Sequence, residues 1–236
     1  MAKSLREKRD WLIGAETESI LRAYGIPVVR SVEAESPEAA ADVARQLGGR
    51  VVLKGLGPGI LHKSELGAVS VGLEADSEVK SAARQMMARL SDTSTPITRF
   101  ELQPQAPRGV EVLVGATNDP AYGTLVVVAA GGTAVELLHD SSARLGPIGV
   151  RDAEDMLRQL RTFPLLDGFR GAPKVDLRAL SDVICRFVAL AQDHTAIAEI
   201  EANPVIASPT GSLAVDVRIR ISPPPSAALI GAKRAY

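Results

Sequence analysis

Lys54 stands at the end of an apolar β-type run, Val51-Val52-Leu53, and is followed by Gly55, Gly57, Gly59 and then His62. A lysine ammonium beside a glycine-rich turn is a compact positive charge suited to a phosphate. Closely spaced glycines let the backbone approach a ligand and aim its N–H groups at one point. The imidazole of His62 can carry a proton or accept a phosphoryl group. The stretch from Val51 to Gly72 thus reads as a phosphate-handling hairpin with a nucleophile candidate at its tip. The glycines alone fit an ordinary turn; Lys54 and His62 in the same hairpin favour a site. Two familiar phosphate motifs fail here. A P-loop needs its lysine inside the turn, and here the lysine precedes the glycines; GLGPGI has a proline where the dinucleotide fingerprint opens a helix.

Oxygen-bearing side chains gather later in the chain. Glu199-Ile200-Glu201-Ala202-Asn203-Pro204 is followed by Val215-Asp216-Val217-Arg218. Glu201, Asn203 and Asp216 are hard ligands, expected at the ends of two strands that pair as a hairpin. Two such oxygens, completed by phosphates and waters, make the usual Mg²⁺ arrangement. Asn203-Pro204 is equally an ordinary turn starter. Glu111 lies in an apolar strand, V-E-V-L-V, where alternation can turn it to solvent as readily as to a ligand. Gly131-Gly132-Thr133 with Glu136 is either a plain turn or a loop near the ligand. Gln103-Pro104-Gln105-Ala106 joins two strands where a flat ligand can be held by backbone groups and an amide. Set opposite a Lys–Gly loop, the oxygens suggest a Mg–nucleotide cleft between two lobes.

The elements that must position these residues follow from periodicity and turn chemistry. Ala15 to Tyr24 predicts a helix stopped by Gly25, and Ile26 to Val29 a short strand. Ser36-Pro37 is a helix start with Ser as cap, continued by Ala39 to Leu47. Ser77 to Leu90 predicts a helix with Val79, Ala83, Met86, Met87 and Leu90 on its apolar side. Residues 15–92 form a smaller α/β lobe on this reading, and the polar loop Ser91 to Pro96 marks the boundary. Residues 93–221 form a larger lobe with strands at Ile97 to Gln103, Val110 to Ala116 and Leu125 to Ala130, in a mostly antiparallel sheet. Asp152 to Thr162 predicts a helix capped by Asp152. Asp176 to Gln192 is the longest helix, with Leu177, Leu180, Val183, Ile184, Phe187, Val188 and Ala191 at helical spacing. Strands at Ile197 to Glu201 and Leu213 to Ile221 complete the lobe, and 222–236 is a Pro-rich tail.

The 236 residues can bury a sizeable core. Charge is nearly balanced, 27 Lys+Arg against 28 Asp+Glu, and aromatics are 3%, which disfavours nucleic acid and anionic membranes as partners. The single cysteine, Cys185, allows no internal disulfide or CxxC metal knuckle. The opening residues lack a signal-peptide apolar region, and no run reaches membrane-span length, so a cytoplasmic location is expected.

Five ordered blocks carry a family resemblance: VVLKGLGPGILHKSELGAV, LQPQAPRGVEVLVGATNDPAYG, VVVAAGGTAVELLHDSSARLGPI, FPLLDGFRG and EIEANPVIASPTGSLAVDVRI. The sequence resembles the ATP-grasp domain of the nucleoside-diphosphate-forming acyl-CoA synthetases, in particular the β subunits of the ADP-forming acetyl-CoA synthetases. These are similar in turn to the succinyl-CoA synthetase β subunit. The resemblance implies a two-lobed ATP-grasp fold, of α+β or α/β class, with Mg²⁺ as cofactor and ATP/ADP as substrate. By likeness, Lys54 contacts the nucleotide phosphates, Gln103 and the backbone near Ala106 the adenine, and Glu111 the ribose or the phosphate-binding groups. Gly131 and Gly132 lie near the nucleotide, and Asn203 and Asp216 hold Mg²⁺. Glu201 stands beside them, orienting a phosphorylated histidine, and His62 relays the phosphoryl group. The likeness also implies a separate CoA-binding α subunit that handles CoA and the carboxylic acid.

The chain departs from the family pattern in two places. Ser64-Glu65-Leu66-Gly67-Ala68 stands where HKSD and a Gly-Gly pair are common, and Glu201-Ala202-Asn203-Pro204 stands for DINP. Two alternatives remain open: a non-catalytic nucleotide-binding regulatory subunit, and another ATP-grasp carboxylate ligase that needs no phosphohistidine.

Overall fold

The computed structural model describes residues 9–12, 14–60, 63, 66–91, 93, 95–132 and 138–223. In chain order the elements are α1 (Gly14–Ala23), β1 (Val32–Ala34), α2 (Pro37–Leu47), β2 (Val51–Leu56), β3 (Val69–Leu73), α3 (Asp76–Leu90) and β4 (Arg99–Pro104). Then follow β5 (Val110–Asp119), β6 (Gly123–Ala130), β7 (Ser141–Leu145), α4 (Val150–Arg158), α5 (Phe163–Leu166), α6 (Leu177–Asp193), β8 (Ile197–Ser208), β9 (Gly211–Ala214) and β10 (Val217–Ile221). The chain divides into two units: residues 29–106, and residues 1–28 with 107–236.

The smaller unit is a four-stranded antiparallel sheet, order β1-β4-β2-β3, backed by α2 and α3. Helix α2 starts where its residue types require: the Ser36 side chain accepts from Ala39 N at 3.1 Å, and Pro37 needs no donor there. Val51 and Leu53 of β2, Phe100 and Leu102 of β4 and Ala34 of β1 alternate onto the helix side, against Ala40, Val79, Ala83 and Met86. Met87 is 41% exposed, because it falls off the arc that Val79, Ala83, Met86 and Leu90 bury. The strand at Arg99–Pro104 pairs with β2 and β1, so it belongs to this unit. The division expected near residue 92 therefore lies at 106/107, and helix α1 falls with the larger unit.

The larger unit is built on a sheet of order β10-β8-β5-β6-β7, with β9 also pairing β8, every ladder antiparallel. One face packs on α4 and α6. Val112, Val114, Ala116, Val126, Val128, Ile200 and Ala202 meet Leu180, Val183, Ile184, Phe187 and Val188. Each large side chain buried there contributes about 1.5–3 kcal/mol. Ile26 to Val29 makes no strand; it contributes one bridge, Val28 to Ala214, with Pro27 O accepting from Ala214 N at 2.9 Å. Asp152 is not the cap of α4 but sits a turn inside it, its Oδ2 accepting from Gly149 N at 2.9 Å. No helix among the described residues is long and apolar enough to cross a membrane.

Asp140, only 6% exposed, ties β7 to the end of α4. It accepts from the backbone N–H of Arg161 and Thr162, both at 2.8 Å, and from the Thr162 hydroxyl at 2.6 Å. Burial pushes its carboxyl up, but these donors and the Arg161 guanidinium outweigh that and hold it below the usual range. A depressed folded value gives stability that is present above the ordinary aspartate pKa and lost as pH falls through the folded one. Asp140→Asn is expected to cost about 1–3 kcal/mol at neutral pH and to flatten this part of the acid limb. Thermal melts of both proteins from pH 7 downward check it; the two curves should converge in acid.

Candidate functional site

In the smaller unit, alternation along β2 turns Lys54 away from the helices, and it is only 5% exposed. On β4, Glu101 lies opposite Lys54 and Gln103 opposite Val52, so all three polar residues share the face that carries no helix. Glu101 is 8% and Gln103 5% exposed. Ala106 is half-buried just beyond, next to Gln105, whose N–H donates to Arg50 O at 2.8 Å. The hairpin glycines have a packing reason as well as a binding one. A Cβ at Gly57 would stand 2.0 Å from the Pro96 carbonyl oxygen, so only glycine lets the hairpin lie against that segment. Ala68, where the family pattern has a glycine, is fully buried in the helix-side core and accepts at its carbonyl from Gly55 N at 2.8 Å. The methyl fills core space there. His62, Ser64 and Glu65 lie outside the described residues.

In the larger unit the structure brings Glu111, Gly131, Gly132, Asn203 and Asp216 together. Gly131 N donates to Glu111 O at 2.9 Å, and Gly132 N donates to Asn203 Oδ1 at 3.1 Å. Gly132 has φ +67°, and a Cβ there would lie 1.7 Å from Glu111 Oε2. A side chain at 132 would meet both left-handed strain and the Glu111 carboxylate. Asn203 N donates to Asp216 O at 3.0 Å. Asn203 is not at a strand end, as the sequence suggested, whereas Asp216 is. Strand β8 runs on through Asn203 to Ser208, and Asp216 occupies the break between β9 and β10 opposite it. Thr133 and Glu136 lie outside the described residues. A cavity of about 340 Å³ opens beside this cluster, its lining including Glu111, Ala130, Gly131, Leu138, Leu165 and Phe169.

Glu201 projects from the sheet face opposite α6. Its register partners are Gly115 and Arg218, and it lines a cavity of about 360 Å³ with Leu113, Val127, His139 and Glu199. Burial is the largest cause lifting the Glu201 carboxyl above the ordinary carboxylate range; Glu199 and Asp216 add to it and Arg218 opposes it. Glu199 is itself paired with Arg220, Nε to Oε2 at 3.2 Å. The Glu199, Arg218 and Arg220 contributions went unnoticed in the sequence. Their signal is the matched alternation E-I-E on one strand and R-I-R on its antiparallel neighbour, which puts four charges on one face.

Among the described residues no group of three or more His, Cys, Asp and Glu could hold a metal by itself. The Asn203 and Asp216 pair fits a different class of site. Asn203 Oδ1 keeps a lone pair beyond its bond to Gly132, and with the Asp216 carboxylate it offers two hard oxygens. That donor set suits Mg²⁺, which takes few protein ligands and completes its shell from phosphates and water.

Residues 3–221 match the family described as ATP-grasp domain. The chain belongs to the ATP-grasp family. It is 36% identical over 210 residues to the β subunit of acetate–CoA ligase [ADP-forming] I from Pyrococcus furiosus, covering 88% of this chain and 90% of that one. It is 34% identical to the 4-hydroxybutyrate–CoA ligase [ADP-forming] of Nitrosopumilus maritimus, where 91% of this ATP-grasp chain spans only 31% of the relative. A solved structure of the dinucleotide forming acetyl-coenzyme A synthetase 1 of Ca. Korarchaeum cryptofilum superimposes with a TM-score of 0.81 at 35% identity. It covers 94% of this chain and 97% of that one. That protein is in complex with coenzyme A and Mg-AMPPCP, its phosphohistidine segment pointing towards the nucleotide binding site.

Proposed function

We propose that this ATP-grasp chain is the nucleotide-binding subunit of an ADP-forming acyl-CoA synthetase, an acid–thiol ligase completed by a CoA-binding α subunit. The overall reaction is acyl-CoA + ADP + phosphate ⇌ carboxylic acid + CoA + ATP. Lys54 contacts the nucleotide phosphates, Gln103 and Ala106 the adenine, and Glu111 with Gly131 and Gly132 the ribose and phosphate side. Asn203 and Asp216 hold Mg²⁺, which when bound neutralises charge on the phosphates. In the ATP-forming direction the His62 imidazole nitrogen takes the phosphoryl group from an acyl phosphate, whose P–O bond to the carboxylate breaks to release the acid, and ADP's terminal oxygen then takes the phosphorus as the P–N bond breaks. Glu201 accepts a hydrogen bond from the imidazole of the phosphohistidine and so orients it.

The observation that carries this reading is the linked set Glu111, Gly132, Asn203 and Asp216 in a chain whose ATP-grasp match is nearly complete. Support for the partner comes from the relatives: one is named a β subunit, and another is about three times as long as the matched stretch. Calorimetry on the full chain tests the nucleotide half directly. ATP is expected to bind with Mg²⁺ present and about tenfold or more weaker, 1.4 kcal/mol, after chelation. Equal affinity with and without Mg²⁺ would remove Asn203 and Asp216 from the metal role.

A further inference from the structure

We infer that Glu101 is a positioning residue for Lys54, its buried counter-charge on the face that receives the nucleotide phosphates; the inference rests on the reading of Lys54 as a phosphate contact. Glu101 has no role in any reading of the sequence above. It is the direct antiparallel partner of Lys54, so the two side chains leave the same face of the sheet at the same level. Both are more than nine-tenths buried.

Among the described residues the register partners of Glu101 are Lys54 on one flank and Glu33 on the other. The Glu33 carboxylate is already paired diagonally with Arg99, Nε to Oε2 at 3.4 Å. The Ser31 hydroxyl donates to Glu101 Oε1 at 2.5 Å, which fixes one oxygen and leaves Oε2 for another donor. Gln103 stands two residues further along β4, about 7 Å away, and offers no charge. A carboxylate level with the phosphate-binding lysine cannot itself touch a phosphate without repulsion. An ammonium has three donors, however. One directed to Glu101 Oε2 aims the other two at phosphate oxygens.

A double-mutant cycle on Mg–ATP affinity tests this in the full chain. Glu101→Gln is expected to weaken binding by about tenfold, with Glu101→Asp recovering part of the loss. In the Lys54→Met background the same Glu101→Gln change should leave affinity unchanged or improve it, because it then removes a lone carboxylate from beside the phosphates. That reversal separates positioning from a structural role or a direct ligand role, either of which weakens binding in both backgrounds. Additive losses, or no effect of Glu101→Gln beside native Lys54, overturn the inference while leaving Lys54 in place. No effect of Lys54→Met alone overturns the underlying reading instead. Melting curves of each variant confirm that folded protein is being compared.

Discussion

Lys54→Ala is expected to weaken Mg–ATP binding by about 2–5 kcal/mol, or about thirtyfold to several thousandfold in Kd. The size follows from placement. Lys54 is 5% exposed on a central strand, flanked by β3 and β4, so its ammonium acts in a low effective dielectric rather than in screened solvent. Its stem has little freedom to lose on binding, because register and burial already fix where it leaves the sheet. Alanine removes the charge and leaves the strand intact, since the ladder from Val51 to Leu56 is made by backbone groups. Lys54→Arg should recover little, because a planar fork is not interchangeable with a compact ammonium. Titration calorimetry with melting-temperature controls checks the prediction. An unchanged Kd in a folded Lys54→Ala protein would falsify the phosphate role.

What could be read from the sequence was whatever local chemistry decides. Ser36-Pro37 announces α2 because a hydroxyl and a proline solve the same orphan-donor problem in any context. The spacing of Leu180, Val183, Ile184, Phe187 and Val188 announces α6 because a buried stripe must recur at helical period. The ATP-grasp resemblance was legible for a different reason: five blocks in fixed order are far more specific than any one of them.

What escaped depends on pairing between distant strands. Nothing in R-F-E-L-Q-P says that it lies between residues 32–34 and 51–56 rather than with the strand that follows it, so the division was drawn too early. Residues 197–208 form one long strand because three others pair along it, whereas the sequence suggested a turn at Asn203-Pro204. That same pairing sets Asp216 opposite Asn203, so the two residues meet where the neighbouring chain breaks between β9 and β10 while Asn203 stays inside β8. Glu111 was undecided between solvent and ligand. In the structure Glu111 is exposed and its carboxylate lies beside the Gly132 backbone, which explains the second glycine of the pair. Single-residue alternation, F-E-L-Q on β4 and E-I-E on β8, held the remaining polar residues in plain view, but only register shows which charges they face.

His62→Asn is expected to lower the complete reaction, measured with the CoA-binding partner, by about 10³-fold or more while leaving Mg–ATP affinity of the chain nearly unchanged. Asparagine keeps the size and polarity of the side chain and removes the nucleophilic ring nitrogen, so binding and chemistry part company. Phosphoryl transfer leaves little covalent work to a protein beyond accepting and releasing the group, and the imidazole supplies that acceptor. The variant should take up no acid-labile label from γ-labelled ATP, whereas the native chain is expected to take it up on nitrogen and lose it to ADP. Lys54→Ala gives the opposite pattern, with binding lost first and chemistry only as a consequence. Turnover at the native rate in His62→Asn would point instead to an ATP-grasp ligase that forms its acyl phosphate directly from ATP, with Asn203, Asp216 and Lys54 in the same roles.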